Sequence, residues 1–441
     1  MLTVASVIGG VIFGLVLRYA ASERWTAREV MYVQFPGDLF LRMLKALIIP
    51  LLVSSITSAI GSLDLSLSKK IGGRAILYYL VTTVIAVIEG IILVMLIRPG
   101  RGDFDRSASK DEKRPITTVD TLLDLVRNMF PPNLIQSCIA QPNYTYKKRI
   151  NCTTVVSDYK SWIISNEYTT SSNVLGLVVF AVVQGVAIGQ MGKVGKPLLQ
   201  IYSSLGESMM LITNWVVWLS PVGVFFLIAA KMIEAESFAE MIGQLGLYFL
   251  TVLIGLFLHG LIVLPLIFFL ATRVLPFTFL ANMGQAYVTA FATASSSATL
   301  SVSMSCLEEK NKIDPRVSRF VMPIGATVNM DGTALYEAVA VIFISQVRHI
   351  SLSLGQIIAV SISSTMASIG AASIPQAGLV TMVMVMDTVG LPSEDISLIF
   401  AVDWLLDRFR TSINVIGDSL GAGIVAHLSK KELEKMPIIE H

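Results

Sequence analysis

Hydrophobic segments long enough to cross a lipid bilayer recur along the chain, with short polar segments between them. A membrane-spanning helix needs about 20 mostly apolar residues. The first segment lacks the basic start and the small-residue cleavage site of a signal peptide, so we interpret it as a membrane helix. The last of these segments is longer than a crossing requires, which predicts a helix that is tilted or extends past the membrane. The predicted spans are residues 1–20, 39–60, 74–96, 174–191, 197–233 and 238–274.

Residues 98–172 are polar and are predicted to form an irregular loop. The loop holds two glycosylation sequons, at Asn143 and Asn151, and sequons are used only on the extracellular side. The basic residues of the loops at 69–74 and 193–196 favour the cytoplasmic side for those two loops. Cys138 and Cys152 also lie in the extracellular loop, where a disulfide and two free thiols are equally compatible with the sequence.

Beyond Pro276 the pattern changes from long apolar segments to a repeated pair of elements. A stretch of small hydroxylated residues, 293–301, precedes a helix at 320–340 that is interrupted by Pro323, Gly325 and the sequence 329–333. A second small-residue stretch, 365–378, precedes a helix with a polar centre at 401–419. Paired interrupted segments in a membrane protein indicate a transporter binding site, because irregular backbone at membrane depth is tolerated only when it is buried or lines a cavity.

The last helix carries a polar face inside an apolar segment. With its carboxylates ionised, this face sums to a charge of −2. One charged side chain in the bilayer centre costs about 2.5–3.5 kcal/mol, so the face must contact protein, water or cations. Arg408 points away from it. The face comprises Asp403, Asp407, Arg410, Thr411, Asn414 and Asp418.

Composition agrees with a membrane protein and narrows the classes of function. Of the 441 residues, 54% are hydrophobic and 15% are charged, whereas a soluble domain has about 25% charged residues. The net charge of +2 gives no indication of a nucleic-acid partner. The four histidines and three cysteines form no metal-ligand spacing, no set of serine, histidine and aspartate predicts an enzyme, and no cofactor is expected. We interpret His259, alone in an apolar helix, as a hydrogen-bonded packing residue.

The charges predict the chemistry of the ligands. Asp331, Asp407 and Asp418 outnumber Arg410, so cations or protons must balance the site. Carbonyl, carboxylate and amide oxygens suit an alkali or alkaline-earth ion. The guanidinium of Arg410 can bind a carboxylate through two hydrogen bonds, and Asp407 could hold an ammonium group one helical turn away. Together they predict an acidic amino acid as substrate; the alternative is that Asp407 and Arg410 only pair with each other.

Several motifs in one order resemble the glutamate/aspartate:cation symporter family, and most closely its animal branch, the excitatory amino-acid transporters. The resemblance covers essentially the whole chain. It implies an all-α polytopic fold of eight transmembrane helices and two re-entrant hairpins with inverted repeats, and a homotrimer that works by an elevator mechanism. The motifs are the serine-rich sequence 294–299, Asn-Met-Asp-Gly-Thr at 329–333, the sequence 368–378, and 407–414 with Asp418.

The resemblance also implies a division into domains. Residues 1–72 and 98–233 would form a static scaffold, the second range including the glycosylated extracellular loop. Residues 73–97 and 234–430 would form the mobile transport domain, and residues 431–441 a cytoplasmic tail. The protein would then lie in the plasma membrane as a multi-pass protein with both termini in the cytoplasm.

The site residues implied by the resemblance fall into five groups. Glu337 matches the family's proton carrier, whose proton antagonises counter-transported potassium. The substrate contacts would be Ala294, Ser295, Ser296, Thr333, Ile374, Pro375, Gln376, Ala377, Gly378, Asp407, Arg410, Thr411 and Asn414. The three sodium sites would be Gly325, Asn329, Asn414 and Asp418; then Thr327, Met330, Ser368, Ile369 and Ala371; and then Tyr79, Thr82, Thr83, Asn329 and Asp331.

The resulting functional hypothesis is sodium-coupled import of L-glutamate and L-/D-aspartate with proton co-transport, potassium counter-transport and an uncoupled chloride conductance. Two alternatives are a sodium-dependent neutral amino-acid exchanger of the same fold and a protein that is mainly a substrate-gated anion channel. Arg410 disfavours the exchanger, because a neutral substrate leaves its guanidinium unpaired. Glu89 departs from the family, in which an apolar residue is usual. It lies on nearly the same helix face as Thr82, so we expect it to face protein and to tune cation or proton coupling.

Overall fold

The computed structural model shows a predominantly helical chain. It describes residues 2–20, 25–62, 69–100, 123, 126–147, 150–151, 154–155, 163–169, 172–234, 238–369, 377–392 and 395–434. The helices are α1 Leu2–Ala20, α2 Ala27–Gly61, α3 Lys69–Ile97, α4 Leu134–Ser137, α5 Val174–Met191, α6 Lys196–Trp218, α7 Ser220–Glu234, α8 Phe238–Leu258, α9 Leu264–Thr272, α10 Phe277–Asn282, α11 Gly284–Thr293, α12 Ser296–Ser305, α13 Pro315–Val328, α14 Asp331–Val347, α15 Leu354–Ile369, α16 Ala377–Thr388, α17 Ile396–Leu428 and α18 Lys430–Leu433.

The described part of the chain has five helices long and apolar enough to cross a membrane, or six if the bent pair α6 and α7 counts as one span. Two further helices complete the predicted eight. One is α1, with 19 residues. The other is α17, with 33 residues, whose polar face lowers its average hydropathy. The chain is therefore a polytopic helical membrane protein.

Three predicted boundaries were wrong. The second membrane helix begins at Ala27, because Thr26 and Glu29 form a capping box that stabilises an earlier start. The span predicted at 197–233 is two helices, α6 and α7, bent by 52° at Leu219. The helix predicted to break at Pro323 and Gly325 continues through both residues as α13 and is interrupted only at Asn329 and Met330.

The loop predicted to be extracellular is not wholly irregular. Strand β1, Gln141–Lys147, pairs antiparallel with β4, Ile163–Thr169, and the short strands β2, Ile150–Asn151, and β3, Thr154–Val155, pair with each other. The sequon residues Asn143 and Asn151 therefore lie in β1 and β2. Cys138 is a free cysteine in the structure and donates to the carbonyl of Leu134 at 3.4 Å, and Cys152 is outside the described residues.

The helices pack as two groups. In the first, α2 packs against α5, α6 and α7, and α1 packs against α7. In the second, α17 packs against α8, α11, α13 and α14, while α14 also packs against α3. Helices α11 and α12 form one hairpin, and α15 and α16 form the other. Each hairpin precedes a polar helix, which is the repeat expected from the sequence.

The short helix α18 follows the polar helix α17 and is bound to the start of α3 by hydrogen bonds and an ion pair. Arg74 donates hydrogen bonds to Ser429 Oγ at 2.9 Å and to Glu432 Oε1 at 3.1 Å. The hydrogen bond from Arg74 lowers the pKa of the Glu432 carboxyl. The contact fixes the end of the chain that follows the polar helix α17. Residues 435–441 of the predicted tail lie outside the described residues.

Candidate functional site

The polar face of α17 is buried in protein. All six of its residues are at most 5% exposed: Asp403, Asp407, Arg410, Thr411, Asn414 and Asp418. Because these side chains cannot face lipid at low cost, the sequence predicted that they contact protein, water or cations. In the structure their helix packs against α13, α14 and the hairpins. The site is therefore built on one continuous helix whose partners are interrupted elements.

The break between α13 and α14 supplies the groups that face α17. Asn329 and Met330 have non-helical backbone angles, with φ/ψ of −96°/73° and −106°/62°. Asn329 Nδ2 donates to Asp418 Oδ1 at 3.0 Å. Gly332 N donates to Asn414 Oδ1 at 2.8 Å, and Asn414 Nδ2 donates to Thr333 Oγ1 at 3.2 Å. The interruption thus turns backbone and side-chain polar groups toward the carboxylates and amides of α17.

Two glycines allow this close approach. A Cβ at Gly325 would lie 2.5 Å from Asp418 Oδ1. A Cβ at Gly378, on α16, would lie 2.6–2.9 Å from the guanidinium atoms of Arg410. Separations under 3.0 Å are too short for carbon, so any side chain at either position would displace a charged group of the site.

Arg410 lies at the centre of a carboxylate and aromatic cluster. Its Nη2 donates to Asp407 Oδ1 at 2.5 Å, and its Nη1 lies 3.5 Å from Asp403 Oδ1. Its Cζ is 4.3 Å from the ring centroid of Tyr336, within the range of a cation–π interaction. The direct pairing of Asp407 with Arg410, which was the alternative interpretation of the sequence, is therefore present. A guanidinium has five N–H donors, so this pairing leaves donors for a second carboxylate.

A second cluster surrounds Asp331 on α14. Thr83 Oγ1 donates to Asp331 Oδ1 at 2.7 Å, and Thr82 Oγ1 lies 3.2 Å from the same oxygen. Thr82 Oγ1 is also 3.1 Å from the carbonyl of Tyr78, as expected for a threonine bonded back to its own helix. Tyr79 is next to these threonines on α3, but its hydroxyl donates to the carbonyl of Val321 at 2.8 Å. The structure thus brings four of the predicted residues of the third sodium site together, with Asn329 Oδ1 3.2 Å from Thr82 Oγ1.

The tip of the first hairpin presents the start of a helix to the site. Ser295 caps α12, and its Oγ accepts a hydrogen bond from Ala298 N at 3.2 Å. Ala294 has a left-handed φ of 51°, which costs about 1–2 kcal/mol and requires support from neighbouring contacts. Arg408, which points away from the polar face, donates to the carbonyls of Ala292 and Phe291 at 2.7 and 2.9 Å. The tip of this hairpin is therefore bound to α17.

The second hairpin is described only in part. Ile374, Pro375, Gln376 and Ala371, all predicted site residues, lie outside the described residues, and of Ala377 only the backbone is described. Ser368 Oγ donates to the carbonyl of Thr365 at 2.9 Å, and Thr327 Oγ1 donates to the carbonyl of Ile324 at 3.0 Å. Thr327 and Ile369 line one cavity of about 530 Å³ between α13, α15, α2 and α6, together with Ser58, Glu207 and Ser297. Met330 is buried.

Three residues, Thr381, Tyr336 and His259, have partners that were not predicted from the sequence. Thr381 of α16 donates to Glu337 Oε1, whereas Glu337 Oε2 has no hydrogen-bond partner within the described chain. Tyr336 lies under Arg410. His259, predicted as a hydrogen-bonded packing residue, has Glu89 and Asp331 as its partners, which the sequence did not identify. The available signal for Tyr336 was its position on α14, three residues after Thr333 and therefore on the same face.

A buried, charge-rich site between a re-entrant hairpin and the break of a membrane helix defines the class of secondary transporters. The chain belongs to the sodium:dicarboxylate symporter family, which it matches over residues 1–428. It is 48% identical to excitatory amino acid transporter 1 of Ambystoma tigrinum, over 98% of this chain and 83% of the relative. It is 48% identical to human excitatory amino acid transporter 3, over 99% and 86%. It is 46% identical to an excitatory amino acid transporter of Caenorhabditis elegans, over 98% and 88%. The family and these relatives are transporters, not enzymes.

Proposed function

We propose that this protein imports L-glutamate and L-/D-aspartate by coupling their uptake to the inward flow of sodium. The observation that carries the proposal is the arrangement of Arg410, Asp407, Asp331 and Asp418 in one buried region. Arg410 would bind the side-chain carboxylate of the substrate, and Asp407 its ammonium group. Family membership and the names of the relatives support the same substrate class.

In the proposed mechanism, the balance of charge in the site couples sodium binding to substrate binding. The buried carboxylates outnumber the one guanidinium on the site, and uncompensated buried charge is costly. Sodium ions at Asp331 and Asp418 would lower this cost and favour closure of the second hairpin over substrate. Because binding free energies are reciprocal, substrate would then also tighten sodium binding. Sodium here is a transported co-substrate rather than a resident cofactor.

The finer parts of the proposal concern other ions and assembly. Glu337, buried beside Thr381, would carry the proton that antagonises counter-transported potassium, and an uncoupled chloride conductance would accompany transport. The two packing groups of helices support a static scaffold and a mobile transport domain within a homotrimer. We further propose a plasma-membrane location with both termini cytoplasmic and with glycosylation at Asn143 and Asn151.

The test is uptake of radiolabelled aspartate into proteoliposomes with a sodium gradient. We expect accumulation that requires external sodium and rises when internal potassium is supplied. Chloride-dependent current during transport would test the conductance. Absence of sodium-dependent aspartate uptake would contradict the proposal, and sodium-dependent uptake of serine or alanine instead would favour the neutral exchanger.

Replacing Gly378 with alanine tests the position of Arg410. The added Cβ would push the guanidinium away from its place, since it would lie only 2.6 Å from Nη1. Overpacking costs about 1–3 kcal/mol, so we expect the KM for aspartate to rise roughly tenfold. The matched control is Gly243→Ala on α8, where a Cβ would meet no atom within 4 Å. Equal KM values for the two variants would contradict the assigned role of Arg410.

A further inference from the structure

Three ionisable side chains form a buried chain beside the proposed cation site. His259 Nδ1 lies 3.0 Å from Glu89 Oε2, and His259 Nε2 lies 3.5 Å from Asp331 Oδ2. The side chains of His259 and Asp331 are 0% exposed and that of Glu89 is 9% exposed. Both ring nitrogens therefore face carboxylate oxygens, and Glu89 faces protein as expected from the sequence.

The local backbone explains why the imidazole reaches this place. His259 begins a π-helical turn, His259–Val263, in which Leu264 N donates to the carbonyl of His259. Pro265 follows directly and has no N–H for a regular α-helical bond, which favours the wider turn. Isolated π-helical turns inside α-helices occur often at functional sites. Gly260 brings the turn against α17, because a Cβ there would lie 2.3 Å from Ile413 Cδ1.

The two oxygens of Asp331 have different partners. Oδ1 accepts from Thr83 and lies near Thr82, whereas Oδ2 faces the imidazole of His259. At its other nitrogen the ring contacts Glu89 Oε2, and Glu89 Oε1 has no hydrogen-bond partner in the described structure. Within the described residues, the polar contact of the Glu89 side chain is therefore with His259, whose other ring nitrogen faces the carboxylate of Asp331.

We propose that Glu89 is a positioning residue for the Asp331 cation site and acts through His259 to set how tightly that site binds sodium. Groups behind a metal ligand fix its orientation, and their loss typically lowers metal affinity about 10–100-fold. This inference rests on the proposed sodium-coupled function. The inference explains why the apolar helix α3 contains a carboxylate, whose insertion into the membrane costs free energy.

The test compares sodium activation of aspartate uptake for Glu89→Leu and Glu89→Gln. Leucine removes the contact with His259, so we expect the half-saturating sodium concentration to rise on the order of tenfold. Glutamine keeps an acceptor oxygen, so we expect a sodium curve close to that of the wild type. In both variants the maximal rate and the KM for aspartate at saturating sodium should be unchanged. Ile88→Leu, on the exposed side of α3, is the matched control.

A double-mutant cycle tests whether the effect passes through His259. In a His259→Gln background, Glu89→Leu should cause no further change in the sodium curve. Sodium-dependent thermal stabilisation of the purified variants reports the same sodium affinities without transport. It therefore gives a sodium affinity even for a variant that is inactive in transport.

Three results would overturn the inference: an unchanged sodium curve for Glu89→Leu, a lower maximal rate without a sodium shift, or an undiminished Glu89→Leu effect in the His259→Gln background. A wild-type protein without sodium-dependent uptake would instead overturn the proposed function, and this inference with it. That failure is visible before any variant is made.

Discussion

Replacing Arg410 with cysteine is expected to raise the KM for aspartate at least 100-fold and to let neutral amino acids compete for uptake. The change removes the guanidinium that would bind the substrate carboxylate. It also leaves Asp403 and Asp407 without the cation that they contact at 3.5 and 2.5 Å. Truncating one partner of a buried, hydrogen-bonded charge pair between a protein and its ligand costs about 2–5 kcal/mol of binding free energy, and about 3 kcal/mol already corresponds to a factor of more than 100. The measurement is competition by serine and aspartate against radiolabelled aspartate.

The matched control for this variant is Arg348→Cys. Arg348 makes two hydrogen bonds to Asp395 at 2.6 and 2.8 Å between α14 and the start of α17, away from the polar face. We expect this variant to lose thermal stability but to keep its selectivity for acidic substrates. An Arg410→Cys protein that still selects aspartate over serine would show that another group recognises the carboxylate.

Replacing Asp331 with asparagine is expected to be the most damaging change for sodium. Asparagine keeps the size of the side chain and can still accept from Thr83, which donates to Asp331 at 2.7 Å. It removes the negative charge that would balance the ion, in a fully buried place where that charge is poorly screened. A charge-assisted contact contributes up to about 3 kcal/mol. We expect Asp331→Asn to lose a contact of this size with sodium, so that the half-saturating sodium concentration rises about 100-fold. The measurement is sodium-dependent uptake over an extended sodium range.

Asp314→Asn controls for this substitution. Asp314 caps α13 and pairs with Arg316 at 2.6 Å, and it lies outside the membrane-spanning part of the helix. Asparagine is also a good capping residue, so we expect little change in stability and none in the sodium curve. If Asp331→Asn had the sodium curve of this control, the cation site at Asp331 would be disproved.

The sequence predicted the apolar membrane spans and the repeated hairpin and helix pairs, because hydropathy and small-residue clusters are local properties. The number of eight membrane helices came from the family resemblance, since hydropathy alone identifies five or six spans in the described residues. The sequence predicted the bends and interruptions of the membrane helices less well. The bend at Leu219 comes directly before Ser220 and Pro221, whereas α13 continues through Pro323 because neighbouring helices compensate the lost hydrogen bond. A proline therefore accompanies both a bent span and a continuous helix, and the local sequence alone does not decide between the two outcomes.

For the site too, some features were predictable from the sequence and others were not, as the polar face of α17 shows. Its residues share one side of a helix, so periodicity alone was sufficient to predict that they face protein together. Asp403 belongs to this face, and its contact with Arg410 comes from a spacing of seven residues on that helix. The pairing of Asp407 with Arg410 was foreseen as an alternative, since they are three residues apart.

The sequence by itself determined that this is a helical membrane protein with a buried, acidic and amide-rich site, because charged side chains in an apolar chain cannot face lipid at low cost. Only the tertiary structure decided which groups share those charges. Glu89 meets His259 across 170 positions, and Thr381 meets Glu337 across 44. Such contacts depend on how α3, the π-helical turn, α14 and α16 pack together, and no local pattern of the sequence encodes that packing.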